Sequence, residues 1–124
     1  MISTAPELDH FLNGRRRTGT SGRFGKVFDP NTGRVQARVP LASAEEVRVA
    51  VAEAAAAQRG WAAQNPQKRA RVLMKFLALV AEETDTLAAL LAGEHGKTIP
   101  DAKGDIQRGL DVVEFAVGIP HLLK

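Results

Sequence analysis

Asp101, Asp105, Arg108, Asp111 and Glu114 follow one another at steps of three or four, a spacing that gathers side chains on one side of a helix. Arg108 has a carboxylate three residues before it and another three residues after it. Two kinds of chemistry fit that pattern. One is a solvated face carrying weak ion pairs, each worth a few tenths of a kcal/mol. The other is a cleft in which Arg108 grips an anionic group of a substrate, since a planar fork of donors can hold a carboxylate through two parallel hydrogen bonds.

Either reading needs a rigid helix, and the preceding residues describe how one begins. In His95-Gly96-Lys97-Thr98-Ile99-Pro100, Gly96 suits the left-handed position that closes one helix. Pro100 suits the first turn of the next, where its missing N–H is not needed. Asp101 then sits where the helix dipole favours negative charge. Ile106, Leu110, Val113 and Val117 continue at helical spacing as one apolar stripe, predicting a helix to about Gly118. Gly104 and Gly109 fall inside it, and their small size is expected to allow close helix packing.

The rest of the chain divides into a β-hairpin region, 1–40, and a helical region, 41–124, an α+β pattern. Asn13-Gly14 is a hairpin-turn pair between a short apolar patch, Leu8–Leu12, and a return strand beginning at Arg15. Phe24, Lys26 and Phe28 fall on one side of a strand and Val27 on the other. Asp29-Pro30-Asn31-Thr32-Gly33 is a turn. Beyond it Val35, Ala37 and Val39 alternate inward, leaving the arginines as a solvated edge. Ser43 and Glu46 form a capping box for a helix that runs to about Gln58 and ends at Gly60. Its narrow stripe of Val47, Val51, Ala54 and Ala55 should pack closely on a neighbour, and Trp61 should cover a core edge. Asn65-Pro66 starts a second helix with Val72, Leu73, Phe76, Leu77 and Val80 on its apolar side. A third, from about Asp85 to His95, carries Leu87, Leu90 and Leu91.

Several functions are excluded by what the residues lack. Gly96-Lys97-Thr98 is not the end of a phosphate-binding loop, because the required earlier glycine is replaced by Leu91. Gly104 and Gly109 lack the third glycine of a dinucleotide fingerprint. The 124 residues include no cysteine, so neither a thiol nucleophile nor a disulfide exists. His10, His95 and His121 have no ligand-like spacing, so no metal site is expected. The formal net charge of +3 comes with only 5% aromatic residues, too few to stack bases, so no nucleic-acid partner is expected. No signal peptide and no membrane span is apparent, and a cytoplasmic protein is expected.

The run Gly96-Lys97-Thr98, Asp101-Ala102-Lys103-Gly104-Asp105 and Arg108-Gly109-Leu110-Asp111-Val112-Val113-Glu114 resembles the aldehyde dehydrogenase superfamily. Within it, the likeness is to the CoA-acylating methylmalonate-semialdehyde branch. Phe11-Leu12-Asn13-Gly14, Asp29-Pro30-Asn31-Thr32-Gly33, Trp61, Arg69, Val72 and Leu73 agree in order and spacing. The resemblance implies the first quarter or so of an α/β enzyme that forms homo-oligomers. Such an enzyme oxidises methylmalonate or malonate semialdehyde through a cysteine, with NAD as hydride acceptor and CoA as acyl acceptor. That cysteine and the NAD-binding strands would lie beyond Lys124. The segment alone would then hold no catalytic residue, bind no cofactor, and need the remainder of its polypeptide as partner. Arg108 is the one substrate contact expected in this run, the solvated ion-paired face remaining the alternative that helix spacing leaves open. The alternatives are a segment of another aldehyde dehydrogenase, such as a succinate-semialdehyde enzyme, and a non-catalytic helical interaction module.

Overall fold

The computed structural model describes residues 5–123. In chain order they form β1 (His10–Leu12), β2 (Arg15–Arg17), β3 (Phe24–Phe28), β4 (Val35–Pro40), α1 (Ala44–Ala62), α2 (Pro66–Glu82), α3 (Thr84–His95), α4 (Ile99–Val117) and a 3-10 turn, Ile119–Leu122. The strands make two separate antiparallel hairpins, β1–β2 and β3–β4. This is an α+β piece, and it gathers into two compact units, one ending at Ala62 and the other beginning at Ala63.

In the first unit the turns follow their chemistry. Asn13 (φ 53°) and Gly14 (φ 75°) both take the left-handed conformation that a two-residue hairpin turn demands. In the second turn the Asp29 carboxylate accepts from the Asn31 N–H at 2.8 Å and from the Thr32 hydroxyl at 2.9 Å. These bonds hold the Asp29 carboxyl below its ordinary range. Gly33 completes the turn at φ 69°. The β3–β4 register slips between Val27 and Phe28, so strict alternation fails there. Phe28 is exposed rather than sharing a face with Phe24, and Val39 is also exposed. Arg38 is not simply a solvated edge residue. Its guanidinium pairs with Glu7 at 2.7 Å and lies 4.5 Å from the centre of the Phe24 ring.

The capping box of α1 forms as expected. The Ser43 hydroxyl accepts from the Glu46 N–H at 3.1 Å, and Glu46 accepts from the Ser43 N–H at 2.7 Å. The same carboxylate also accepts from the Thr20 N–H at 2.6 Å and from its hydroxyl at 2.9 Å. With the Ser43 N–H as the largest cause, these bonds lower the Glu46 carboxyl from 4.5 to about 2.

Two expectations for α1 fail. The helix runs through Gly60 to Ala62, because one glycine inside an alanine-rich helix costs only about 1 kcal/mol. The apolar stripe does not pack: Val47 and Val51 are 50% and 62% exposed. The less exposed face is Glu46, Ala50 and Glu53. It meets donors rather than methyl groups, since Arg17 pairs with Glu53 at 2.7 Å. Trp61 lies in the last turn of α1 and is 40% exposed.

The second unit is three helices. Asn65 caps α2 by accepting from the Gln67 N–H at 2.8 Å, with Pro66 next to it. Where α2 gives way to α3, the Thr84 hydroxyl donates back to the carbonyls of Val80 and Ala81. Gly96 closes α3 at φ 79°, its N–H reaching the Ala92 carbonyl at 2.8 Å. The most deeply buried apolar residues are small and come one from each helix: Ala70, Ala88 and Ala102, at 7%, 0% and 0% exposure. Methyl groups at the crossings let the helices approach. Gly104 and Gly109 do not serve that purpose, because a Cβ added at either would meet nothing within 4 Å. No described helix is long and apolar enough to cross a membrane.

Candidate functional site

The corner between α3 and α4 sets the geometry around Arg108. Thr98 caps α4: its hydroxyl accepts from the Asp101 N–H at 3.3 Å and donates to the Asp101 carboxylate at 2.9 Å. This fixes the first turn of a 19-residue helix on which Asp105, Arg108 and Asp111 are carried. Ile106, Leu110 and Val113 lie on the opposite side of α4. With Phe76, Val80, Leu87 and Leu91 they line an apolar cavity of about 400 Å³.

The polar face does not pair as its spacing suggests. Asp105 is ion-paired with Lys97 across the corner. That hydrogen bond is the largest cause of the lowered Asp105 carboxyl, with Arg108 and His95 acting only as more distant charges. Asp111 accepts from the Gln107 amide at 2.9 Å. Lys103 reaches Asp85 on α3 at 2.5 Å. Both carboxylates expected beside Arg108 therefore have other partners. Among the described residues Arg108 makes no hydrogen bond and no ion pair, and it is exposed on a capped helix. Lys97 is the participant that helix spacing could not reveal, since it belongs to the corner eight residues before Asp105. A Lys beside a helix N-terminus rich in acid was the only available hint.

The pattern of the aldehyde dehydrogenase family matches residues 17–124. The chain belongs to the aldehyde dehydrogenase family. It is 45% identical over 116 residues to malonate-semialdehyde dehydrogenase 3 of Geobacillus kaustophilus, covering 94% of this chain and 24% of that protein. A candidate methylmalonate-semialdehyde dehydrogenase of Sinorhizobium meliloti, solved with NAD, superposes with a TM-score of 0.94 at 56% identity. That match covers 98% of this chain and 25% of the other. The methylmalonate-semialdehyde dehydrogenase of Oceanimonas doudoroffii gives 0.91 at 38% identity, covering 96% of this chain and 24% of that one. The chain thus spans about a quarter of the length of these relatives.

The Sinorhizobium protein was solved with NAD, and the described residues of this chain lack one common form of dinucleotide cradle. Both sheets are antiparallel hairpins, and no strand runs into a helix through a glycine-rich turn. A dinucleotide cradle of that kind is not formed by these residues.

Proposed function

We propose that this chain is the N-terminal segment of a CoA-acylating dehydrogenase for methylmalonate or malonate semialdehyde, working with NAD in a homo-oligomer. What supports the reading is one observation: identity at 45–56% runs through almost the whole chain against a malonate-semialdehyde dehydrogenase and a candidate methylmalonate-semialdehyde dehydrogenase. In the proposed enzyme this segment contributes scaffold and one substrate contact. NAD, CoA and the nucleophilic thiol belong to the remaining polypeptide.

Arg108 is the proposed contact. Both semialdehydes carry a carboxylate at the end remote from the reacting carbonyl. A fixed cation orients such a molecule only if it is free and rigidly held. What supports Arg108 is that, among the described residues, it is unpaired and is carried on a capped helix whose neighbouring acids are occupied by Lys97 and Gln107.

The test is a chimera in which this chain replaces the matched quarter of the Oceanimonas enzyme. It should assemble and form NADH with methylmalonate semialdehyde and CoA, whereas the isolated chain, lacking a thiol, should form none with any aldehyde. A folded, assembled chimera without that turnover would overturn the proposal.

A further inference from the structure

We propose that Asn13 is a site of spontaneous covalent modification, converting through a cyclic imide to aspartyl and isoaspartyl forms. The chain has three asparagines, Asn13, Asn31 and Asn65, and their settings differ in the one atom that decides the chemistry. Imide formation requires the backbone nitrogen of the following residue to attack the side-chain amide carbon. At Asn65 that nitrogen belongs to Pro66, which has no hydrogen to lose. At Asn31 it belongs to Thr32, whose branched side chain crowds the approach and whose hydroxyl is tied to the Asp29 carboxylate at 2.9 Å. At Asn13 it belongs to Gly14, which has no side chain, is exposed, and makes no hydrogen bond through its N–H among the described residues.

The reaction balances without any outside oxidant or reductant. The Gly14 nitrogen gives up its proton and bonds to Asn13 Cγ. The Cγ–Nδ2 bond breaks and ammonia leaves. Water then opens the ring at either carbonyl, giving Asp or its isomer with the chain running through the side-chain carbon.

The native turn holds Asn13 at φ 53°, so attack needs a brief opening of the hairpin. That opening is cheap, because β1 and β2 are only three residues each and make a two-stranded sheet. Arg15 and Arg16, both exposed beside the turn, favour a developing negative charge on the attacking nitrogen. The product places a carboxylate among those arginines. In the isoaspartyl form an extra backbone carbon also breaks the pairing of Leu12 with Arg15. This chemistry is independent of the activity proposed above.

The full chain should be incubated at mildly alkaline pH, folded and in urea, and the peptide ending at Arg15 followed by mass spectrometry and by isoaspartate-specific labelling. The folded chain should convert at Asn13 within about tenfold of the urea rate, as low-cost opening requires. Conversion should rise with pH, while Asn31 and Asn65 stay intact. Asn13→Gly, which keeps a two-glycine turn, should fold identically and gain no mass in that peptide. A folded chain more than about a hundredfold slower than the urea sample would show that the turn protects Asn13, and would overturn the proposal. Equal conversion at Asn31 would overturn it too.

Discussion

The two units solve the same problem in opposite ways. The hairpins and α1 are pinned by side chains that name one another: Arg17 with Glu53, Arg38 with Glu7, Thr20 and Ser43 with Glu46, and the Arg23 guanidinium with the Ala42 carbonyl. In the helical unit the most buried apolar positions are three alanines, one from each helix, larger apolar side chains line a cavity of about 400 Å³, and the ion pairs lie on the outside. In the first unit several charged side chains help to hold the fold, although Arg15 and Arg16 stay exposed beside the first turn. In the second, apolar volume holds the helices together, and Arg108 lies on the outer face with no hydrogen-bond or ion-pair partner among the described residues.

The largest expected effect tests that contrast in an intact enzyme carrying this segment. Arg108→Ala should weaken capture of the carboxylate-bearing semialdehyde by about 2–4 kcal/mol, the loss of a desolvated charge pair. Oxidation of propionaldehyde should change far less, and the unfolding midpoint should stay put. Comparing kcat/KM for the two aldehydes decides: equal losses would make Arg108 a structural residue and dissolve the contrast.

Next in size is a packing test within the helical unit. Ala102→Leu forces a larger side chain into a fully buried crossing and should cost about 1–3 kcal/mol. Gly109→Ala adds a methyl group in open space and should be neutral or stabilising by up to about 1 kcal/mol. Urea unfolding followed by helical circular dichroism separates the two. If Gly109→Ala proved as damaging as Ala102→Leu, the glycine, not the alanine, would be the close-contact residue.

The smallest effect concerns pH and the polar unit. Glu46 is lowered from 4.5 to about 2 in the folded chain. Its contribution is therefore fully present above 4.5 and is lost as the pH falls through about 2. Thermal midpoints measured down that range should fall in the native chain, and Glu46→Gln should flatten the part of the fall that this carboxylate supplies. Identical profiles for the two proteins would mean that the tie from Thr20 and Ser43 to Glu46 contributes nothing to the first unit.

Much of the molecule was decided by local chemistry that the sequence states outright. Asn13-Gly14, Gly33 and Gly96 take left-handed conformations because those positions demand them and the residues permit them. Ser43, Asn65 and Thr98 cap helices because their oxygens lie two or three residues from an unpaired N–H. The α4 stripe of Ile106, Leu110, Val113 and Val117 faced inward as its period required. Family membership was legible too, since the run from Gly96 to Glu114 is contiguous and distinctive. What the sequence could not decide was partner choice across chain breaks. Spacing placed Asp105 and Asp111 beside Arg108, yet Lys97 takes the first across the corner and Gln107 the second, which leaves the guanidinium free. Spacing gave α1 an apolar contact face, yet Arg17 and Thr20 draw its carboxylates inward and turn Val47 and Val51 to solvent. A hydrogen bond within a turn is fixed by a few neighbouring torsions. An ion pair between elements is fixed by which of several carboxylates lies nearest after the helices have packed, and only the tertiary arrangement of those helices determines that.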